Sequence, residues 1–267
     1  MSIIYVRKTD DRPGFVHDIM KIYRQDLRDI HDILIKPNIV SHEEYPTTTH
    51  PETLRSVLSY LTESGKKCVV ADGPAFDAGN SSKIIENHTL NQVCKEFDVQ
   101  LIDLCKQKMV KRKSPRGFSL KVSNLLIQSA YTISLPVLKT HFQCHLSGAL
   151  KNQFGCLSRM NRIAAHIGLK NIHKCIAELN VLVKPNLFIE DVVYTMVKAQ
   201  EIRHGGEVAP IGQMIAGKDP VALDAYGLTL LQQLDGRPSQ RDANSIPFIK
   251  LAQQYGVGTT RYELKYI

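Results

Sequence analysis

Leu135-Pro-Val-Leu-Lys-Thr-His-Phe-Gln-Cys-His-Leu-Ser-Gly-Ala-Leu-Lys-Asn-Gln-Phe-Gly155 is the stretch on which the fold turns. The apolar run from Tyr131 to Leu138 predicts a buried strand ending at Pro136 or just after it. Lys139, Thr140 and His141 then follow at its carboxyl end, the end at which open α/β sheets bind ligands. His145, Ser147, Gly148, Lys151 and Asn152 come next, in a segment that reads as a loop entering a helix. Two lysines, two histidines and an asparagine so close together form either a ligand-facing cluster or a basic surface loop.

Working outward, strand-like runs alternate with helical patterns. Residues 3–6 read as a first strand, and residues 15–30 show helical spacing of apolar positions. Residues 33–35 form a second buried strand stopped by Pro37, with Lys36 and Asn38 projecting from its end. A helix start follows: Thr49 can cap, Pro51 fits the first turn, and Glu52 can complete a capping box. Leu54, Val57, Leu58 and Leu61 give that helix a buried stripe. Its free N–H groups, with Lys36 and His50 nearby, make an anion site. Residues 68–71 form a third strand, turned by Asp72-Gly73-Pro74 into a small polar loop that suits a mobile cover over a site. A helix over 89–97 and a strand over 99–104 come next. Residues 109–113 and 118–122 pair as a hairpin around a basic turn, and 122–129 is helical.

Beyond the central stretch, residues 171–183 form an amphipathic helix. A strand over 186–189 places Glu190 and Asp191 at its end. Residues 198–209 read as a flexible loop, and 211–216 as a last strand. Asp219 caps a helix begun by Pro220, which puts Asp224 inside that helix, where a structural role suits it. A tail helix over 245–255 closes the chain. Lys-Pro-Asn occurs twice, at 36–38 and 184–186, once after a strand and once before one, and is a chance recurrence. The pattern is α/β: a mainly parallel sheet with helices on both faces and a small antiparallel hairpin part. One domain spanning 1–267 accommodates it, with about 105–125 as the place for an inserted lobe.

Lys139-Thr140-His141 followed by Gly148-Ala149-Leu150-Lys151-Asn152-Gln153-Phe154-Gly155 resembles the core motif of the prokaryotic family catalogued as domain of unknown function 362. Three outlying pieces agree in order: Ile35-Lys36-Pro37-Asn38 with Thr48-Thr49-His50-Pro51-Glu52, then Asp72-Gly73-Pro74, then the run from Gly217 to Asp224. The resemblance covers roughly residues 30–232 and implies a shared fold rather than a particular reaction. Some members carry a ferredoxin-like iron–sulfur segment. Relatives also carry a Gly-rich acidic segment where this chain has Arg203-His204-Gly205-Gly206-Glu207, a departure from the pattern.

The composition, 43% hydrophobic and 22% charged, is that of an ordinary globular chain. No run approaches a membrane span, and the amino terminus lacks a signal-peptide layout. A cytoplasmic location and no membrane partner are therefore expected. Six scattered cysteines include no Cys-x-x-Cys pair, so no iron–sulfur cluster is expected, and Cys68, Cys94 and Cys105 read as core thiols. The net charge of +8 favours anionic partners. The basic run from Lys106 to Arg116 lacks interleaved aromatics, which makes nucleic acid an unlikely partner and a solvated hairpin tip the simpler reading.

No nucleophile elbow, Walker loop or dinucleotide fingerprint is present. The first functional reading is an enzyme for a small carboxylate or phosphate, working by acid/base chemistry as an isomerase, lyase or decarboxylase. Lys139, His141, Lys151 and Asp72 would carry the chemistry. Lys36, Asn38, Thr49, His50, Asn152 and Asp191 would line the ligand site. A second reading is a metal or redox protein, with His141 and His145 four residues apart, on one face if the segment is helical, and Cys144, Cys156 and His166 to complete the site. A third, resting on charge alone, is a weak nucleic-acid binder. The polar groups of the first reading mostly follow strands, which places them along one sheet edge.

Overall fold

A computed structural model describes residues 1–234 and 242–267. Twelve strands are present among them: β1 Ser2–Lys8, β2 Asp32–Pro37, β3 Lys67–Asp72, β4 Leu101–Asp103, β5 Met109–Lys113, β6 Ser119–Ser123, β7 Tyr131–Leu135, β8 Val137–His141, β9 His145–Ser147, β10 Leu187–Val197, β11 Glu207–Gly217 and β12 Tyr262–Tyr266. The main sheet runs β12-β1-β11-β10-β7-β2-β3-β4, with β8 and β9 branching from β10. From β10 to β4 every neighbour is parallel. β11 runs antiparallel to both β1 and β10, and β5–β6 form the separate antiparallel hairpin. Ten α-helices accompany them: α1 Arg12–Ile22, α2 Pro51–Glu63, α3 Ser81–Asn87, α4 Thr89–Glu96, α5 Asn124–Gln128, α6 Ala149–Asn152, α7 Arg159–His166, α8 Ile172–Leu182, α9 Pro220–Leu234 and α10 Pro247–Gln254.

Strand alternation divides the interior into two cores. Ile33, Ile35, Leu187, Ile189, Met214 and Ala216 join one core with α1, α2, α3 and α4. Leu34, Phe188, Val192 and Ile215 join the other, with α6, α8, α9 and α10. The α2 stripe Leu54, Val57, Leu58 and Leu61 is fully buried. Each such leucine contributes about 2 kcal/mol of hydrophobic stabilisation.

Pro136 divides the central apolar run. The β7–β2 ladder ends at the Leu135–Pro37 pair, and the strand resumes as β8, which pairs with the far half of the long β10. Proline has no N–H to continue the first ladder, while its carbonyl accepts from the Asp191 amide at 3.3 Å. Lys139 and His141 therefore lie within a strand rather than after one. His145 lies on β9, opposite His141 in the ladder and with φ of 70°, so the expected helical face does not exist.

Other boundaries shift for identifiable reasons. The first helix stops at Ile22 with Tyr23 as its cap, residues 23–29 continue as turns, and Lys66 Nζ donates to the carbonyls of Leu27 and Arg28 there. β10 runs to Val197, so Glu190 and Asp191 sit in mid-strand on opposite faces. Thr49 does not cap α2. Its hydroxyl donates to the Leu135 carbonyl at 2.6 Å and accepts from the Asn38 amide at 2.8 Å, tying two strand ends together. His50 caps instead, its Nδ1 accepting from the Glu52 amide at 3.1 Å, and the Glu52 carboxylate pairs with Arg55. Asp219 does cap its helix, accepting from the amides of Val221 and Ala222.

Asp191 meets the first core through a buried cluster. Arg12 Nε donates to it at 2.5 Å, the Tyr45 hydroxyl at 2.6 Å and the Thr53 hydroxyl at 3.3 Å. Removing one partner would leave an uncompensated buried charge. Arg12→Met is expected to lower the unfolding free energy by about 3–5 kcal/mol, read from urea denaturation. Adding Asp191→Asn should restore much of the loss, and purely additive effects in the double mutant would refute the coupling.

Candidate functional site

The carboxyl ends of β2, β3, β8 and β10 open onto one cavity of about 680 Å3. Asn38, Asp72, Lys139, His141, Lys151 and Asn152 from the sequence reading all line it. Lys36, Thr49, His50, Asp191 and His145 do not line it. Thr49 and Asp191 are engaged in the ties described above, and His50 stands edge-on to Tyr45 at 4.9 Å. The anion site expected from Lys36 at the start of α2 is therefore not formed there.

Lys36 is fully buried, and its ammonium donates to Asp72 Oδ1 at 2.6 Å, to the Pro37 carbonyl at 3.0 Å and to Asn152 Oδ1 at 3.4 Å. Three donors are thereby spent. Asp72 Oδ2 accepts from the Ile39 amide at 2.6 Å. Burial raises the Asp72 carboxyl above its ordinary value, and the Lys36 ammonium and the amides pull it back. Gly155 is required here, since a Cβ on it would come within 2.3 Å of Asp72 Oδ1.

Lys139 is 1% exposed, and its ammonium donates to the Thr47 carbonyl at 2.6 Å. Burial pushes it down to about 7; Glu201 opposes this and Lys151 adds to it. Lys151, carried by the short α6, lies over the Phe154 ring at 5.3 Å, and burial lowers it too. Neither lysine forms an ion pair among the described residues. Arg162, from α7, donates to the carbonyls of Gly73 and Pro74 and, at 2.9 Å, to Cys105 Sγ, fastening the turn after β3.

Two of the three cavity histidines, His141 and His166, have opposite tautomers. His141 Nδ1 accepts from the amides of Gln143 at 3.2 Å and Cys144 at 3.3 Å, so its proton sits on Nε2. Burial, reinforced by Lys151, holds the ring far below the ordinary histidine range, and it stays neutral. His166 Nδ1 lies 2.8 Å from the Arg162 carbonyl, which can only accept, so its proton is on Nδ1 and Nε2 keeps a lone pair. Burial and Lys151 lower His166 as well. Phe76 and Phe154 stand beside it at 5.2 and 5.5 Å.

The rim contains residues the sequence reading passed over. Lys198, Gln200, Glu201 and His204 line the cavity from the segment read as a flexible loop. Glu43 pins that loop by accepting from the amides of Ile202 and Arg203, both at 2.8 Å, and Arg203 bridges Glu201 and Asp77. Arg162 was legible in principle, lying four residues before His166 on one helix face; His166 itself was expected only as a member of a metal set. Among the described residues, no group of three or more His, Cys, Asp or Glu side chains is placed to hold a metal. Cys144 and Cys156 are buried free thiols, and burial raises Cys156 to about 12.

Fold and site together define an α/β protein whose main cavity lies at the carboxyl ends of a mainly parallel sheet. Residues 33–229 match the family described as Domain of unknown function (DUF362), and the chain belongs to that family. The thylakoid-associated protein sll1697 of Synechocystis sp. is 25% identical over 240 residues, covering 88% of this chain and 71% of that protein. The lactate racemase apoprotein from Thermoanaerobacterium thermosaccharolyticum superposes with a TM-score of 0.53 at 13% identity, over 84% of this chain and 56% of its own. A Thermotoga maritima protein superposes at 0.50, also at 13% identity, over 96% of this chain and 60% of its own. These structures share the fold, and this chain spans less than two thirds of either. No helix among the described residues is long and apolar enough to cross a membrane.

Beneath α6 lies a pair of buried acids. Asp224 accepts from the amides of Ala149 at 2.6 Å and Leu150 at 3.2 Å and so anchors the helix that carries Lys151. Glu190 is buried beside it, and no donor reaches either of its oxygens. Gly148 fits between them because a Cβ there would lie 2.5 Å from Asp224 and 3.0 Å from Glu190. Burial and mutual repulsion raise the Glu190 carboxyl well above the usual range, and burial raises Asp224. Glu190, without donors, holds the proton. The native state thus retains a proton that the unfolded chain releases, and stability falls as pH rises above the ordinary carboxyl range. Glu190→Gln is expected to raise the urea midpoint at about pH 8 and flatten that slope, and an unchanged slope would refute a protonated Glu190.

Proposed function

We propose that this chain is an enzyme that binds a small carboxylate or phosphate in the cavity and moves a proton at a carbon beside the anionic group. The observation that carries the reading is the pair of ammonium groups, Lys139 and Lys151, lining one cavity with no ion-pair partner among the described residues. An anion between them would offset their repulsion and the cost of burying them. A volume of about 680 Å3 suits a small metabolite.

The imidazoles supply complementary functions. His141 presents Nε2–H, a neutral donor for a substrate oxygen on which charge develops. His166 presents an Nε2 lone pair, a base for a substrate proton. Lys139, pushed down to about 7, is partly neutral at physiological pH and is a second candidate base or a Schiff-base amine. Asp72, with its oxygens engaged by Lys36 and Ile39, serves as the scaffold of the cleft together with Asn152, which ties Lys36 to Ser134, and Asn38 offers its amide group to the ligand. Proton transfer beside a carboxylate is the step that isomerases, lyases and some decarboxylases share.

Calorimetric titration with oxalate and with inorganic phosphate tests the binding half. Affinity is expected to fall as pH rises through about 7, where Lys139 loses its charge, and Lys151→Met should weaken binding about tenfold or more. Deuterium uptake from solvent by a panel of 2-hydroxy and 2-keto acids tests the chemical half. His166→Gln should slow uptake about a hundredfold while leaving oxalate affinity within about threefold. Failure of both anions to bind the wild-type protein, with no deuterium uptake by any acid, would overturn the reading.

A further inference from the structure

Between Asp103 and Glu178 the chain contains no Asp or Glu, yet it holds thirteen Lys and Arg residues. Lys139, Lys151 and Arg162 serve the cavity. Most of the others reach the surface on the β5–β6 hairpin and around α7, where Lys111, Arg112, Lys113 and Lys121 are exposed. The same region carries large apolar side chains in solvent: Phe142 is 67% exposed, Met160 71%, Ile167 62% and Leu169 78%. Met160 on α7 and Ile167 at its C-cap are exposed, whereas Arg162 and Ala165 of the same helix are buried.

Hydrogen bonds join these pieces into one face. Gln143 Nε2 donates to the His166 carbonyl at 3.1 Å, holding the Phe142 turn against the end of α7. Lys170 Nζ donates to the Ser119 carbonyl at 3.2 Å, and the Ser158 amide to the Lys121 carbonyl at 2.9 Å, holding both ends of α7 against the hairpin. Lys170 and Lys174 stand over the Phe118 ring at 4.9 and 5.3 Å. Phe142 and Ile167 also line the cavity mouth.

We propose that this face docks on an anionic lipid bilayer. Met160, Ile167, Leu169 and Phe142 would enter the headgroup region, and the surrounding lysines and arginines would meet lipid phosphates. Side chains this exposed protrude from the surface, as insertion into a fluid layer requires. Three of the four are aliphatic and offer no stacking plane to a nucleic-acid base, while Phe118 is already covered by two lysines. Charge complementarity selects the anionic surface over a neutral one. The sequence reading expected no membrane partner for want of a spanning segment, and surface docking needs none. The cavity mouth would then open beside the membrane, so that a small anion formed or held at the headgroups enters directly.

The chain has no tryptophan, so Leu169→Trp introduces a single reporter at an exposed position. On vesicles of phosphatidylcholine with phosphatidylglycerol its emission is expected to shift to the blue, and on phosphatidylcholine alone to stay unchanged. In flotation assays on the wild-type background, Met160→Ser with Leu169→Ser should reduce vesicle binding about tenfold, and Lys111→Glu with Lys113→Glu by a similar factor. Neither pair touches the cavity, so oxalate affinity should be unchanged, and this separates failure of docking from failure of the proposed chemistry. The inference is overturned if the emission does not shift on anionic vesicles. It is also overturned if the protein prefers RNA to those vesicles at matched salt, or if Met160→Ser with Leu169→Ser abolishes a dimer in solution instead of vesicle binding.

Discussion

One buried ion pair, Lys36 with Asp72, holds the site end of this molecule together. It joins the ends of two parallel strands, and Asn152 and the Ile39 amide attach a helix and a loop to the same point. Removing two charges from water is costly, so such a pair persists only where its remaining hydrogen-bonding capacity is met. Here the Pro37 carbonyl and the amides meet it. The close approach of Gly155 leaves no room for a side chain to intrude. The cavity therefore has a rigid base, and the groups that remain unpaired, Lys139 and Lys151, stand on fixed supports.

A cavity with surplus buried cations changes what each group does. Burial disfavours the charged forms of histidines and lysines alike, and the lysines lower the histidines further. The result is two neutral imidazoles whose hydrogen positions are dictated by backbone atoms, one by amides and one by a carbonyl. Directionality is thus built into the rings by main-chain geometry, without a carboxylate to orient them. An anionic ligand would alter this balance by neutralising the lysines that depress the rings.

The sequence made the gathering of Lys139, His141, Lys151, Asn38, Asp72 and Asn152 legible, because each lies at or near the carboxyl end of a recognisable strand or on the segment that follows. It also made the mainly parallel sheet legible through runs such as 33–35 and 68–71. What it hid is long-range pairing. Nothing near Lys36 announces that its ammonium is consumed by an acid thirty-six residues away. Thr49 looks like a helix cap by local rules, yet a strand end across the sheet claims its hydroxyl. The histidine pair at 141 and 145 suggested a helix by spacing alone, but Pro136 frees the chain to continue as a strand and turn back. The rim from 198 to 204 was unreadable because its order derives from Glu43 and Asp77, distant in sequence.

The neighbours Glu190 and Asp191 show what strand alternation means for tolerance to change. One points into a region without donors and keeps its proton; the other points into a nest of donors that includes a guanidinium. A slip of one position along this strand would exchange them, forcing an ionised carboxylate where nothing can receive it and stranding Arg12 without its counter-charge. The two acids thus act as a keyed lock on the register of the longest parallel-paired strand. Insertions or deletions between Leu187 and Asp191 would be rejected on electrostatic grounds before any apolar contact was lost.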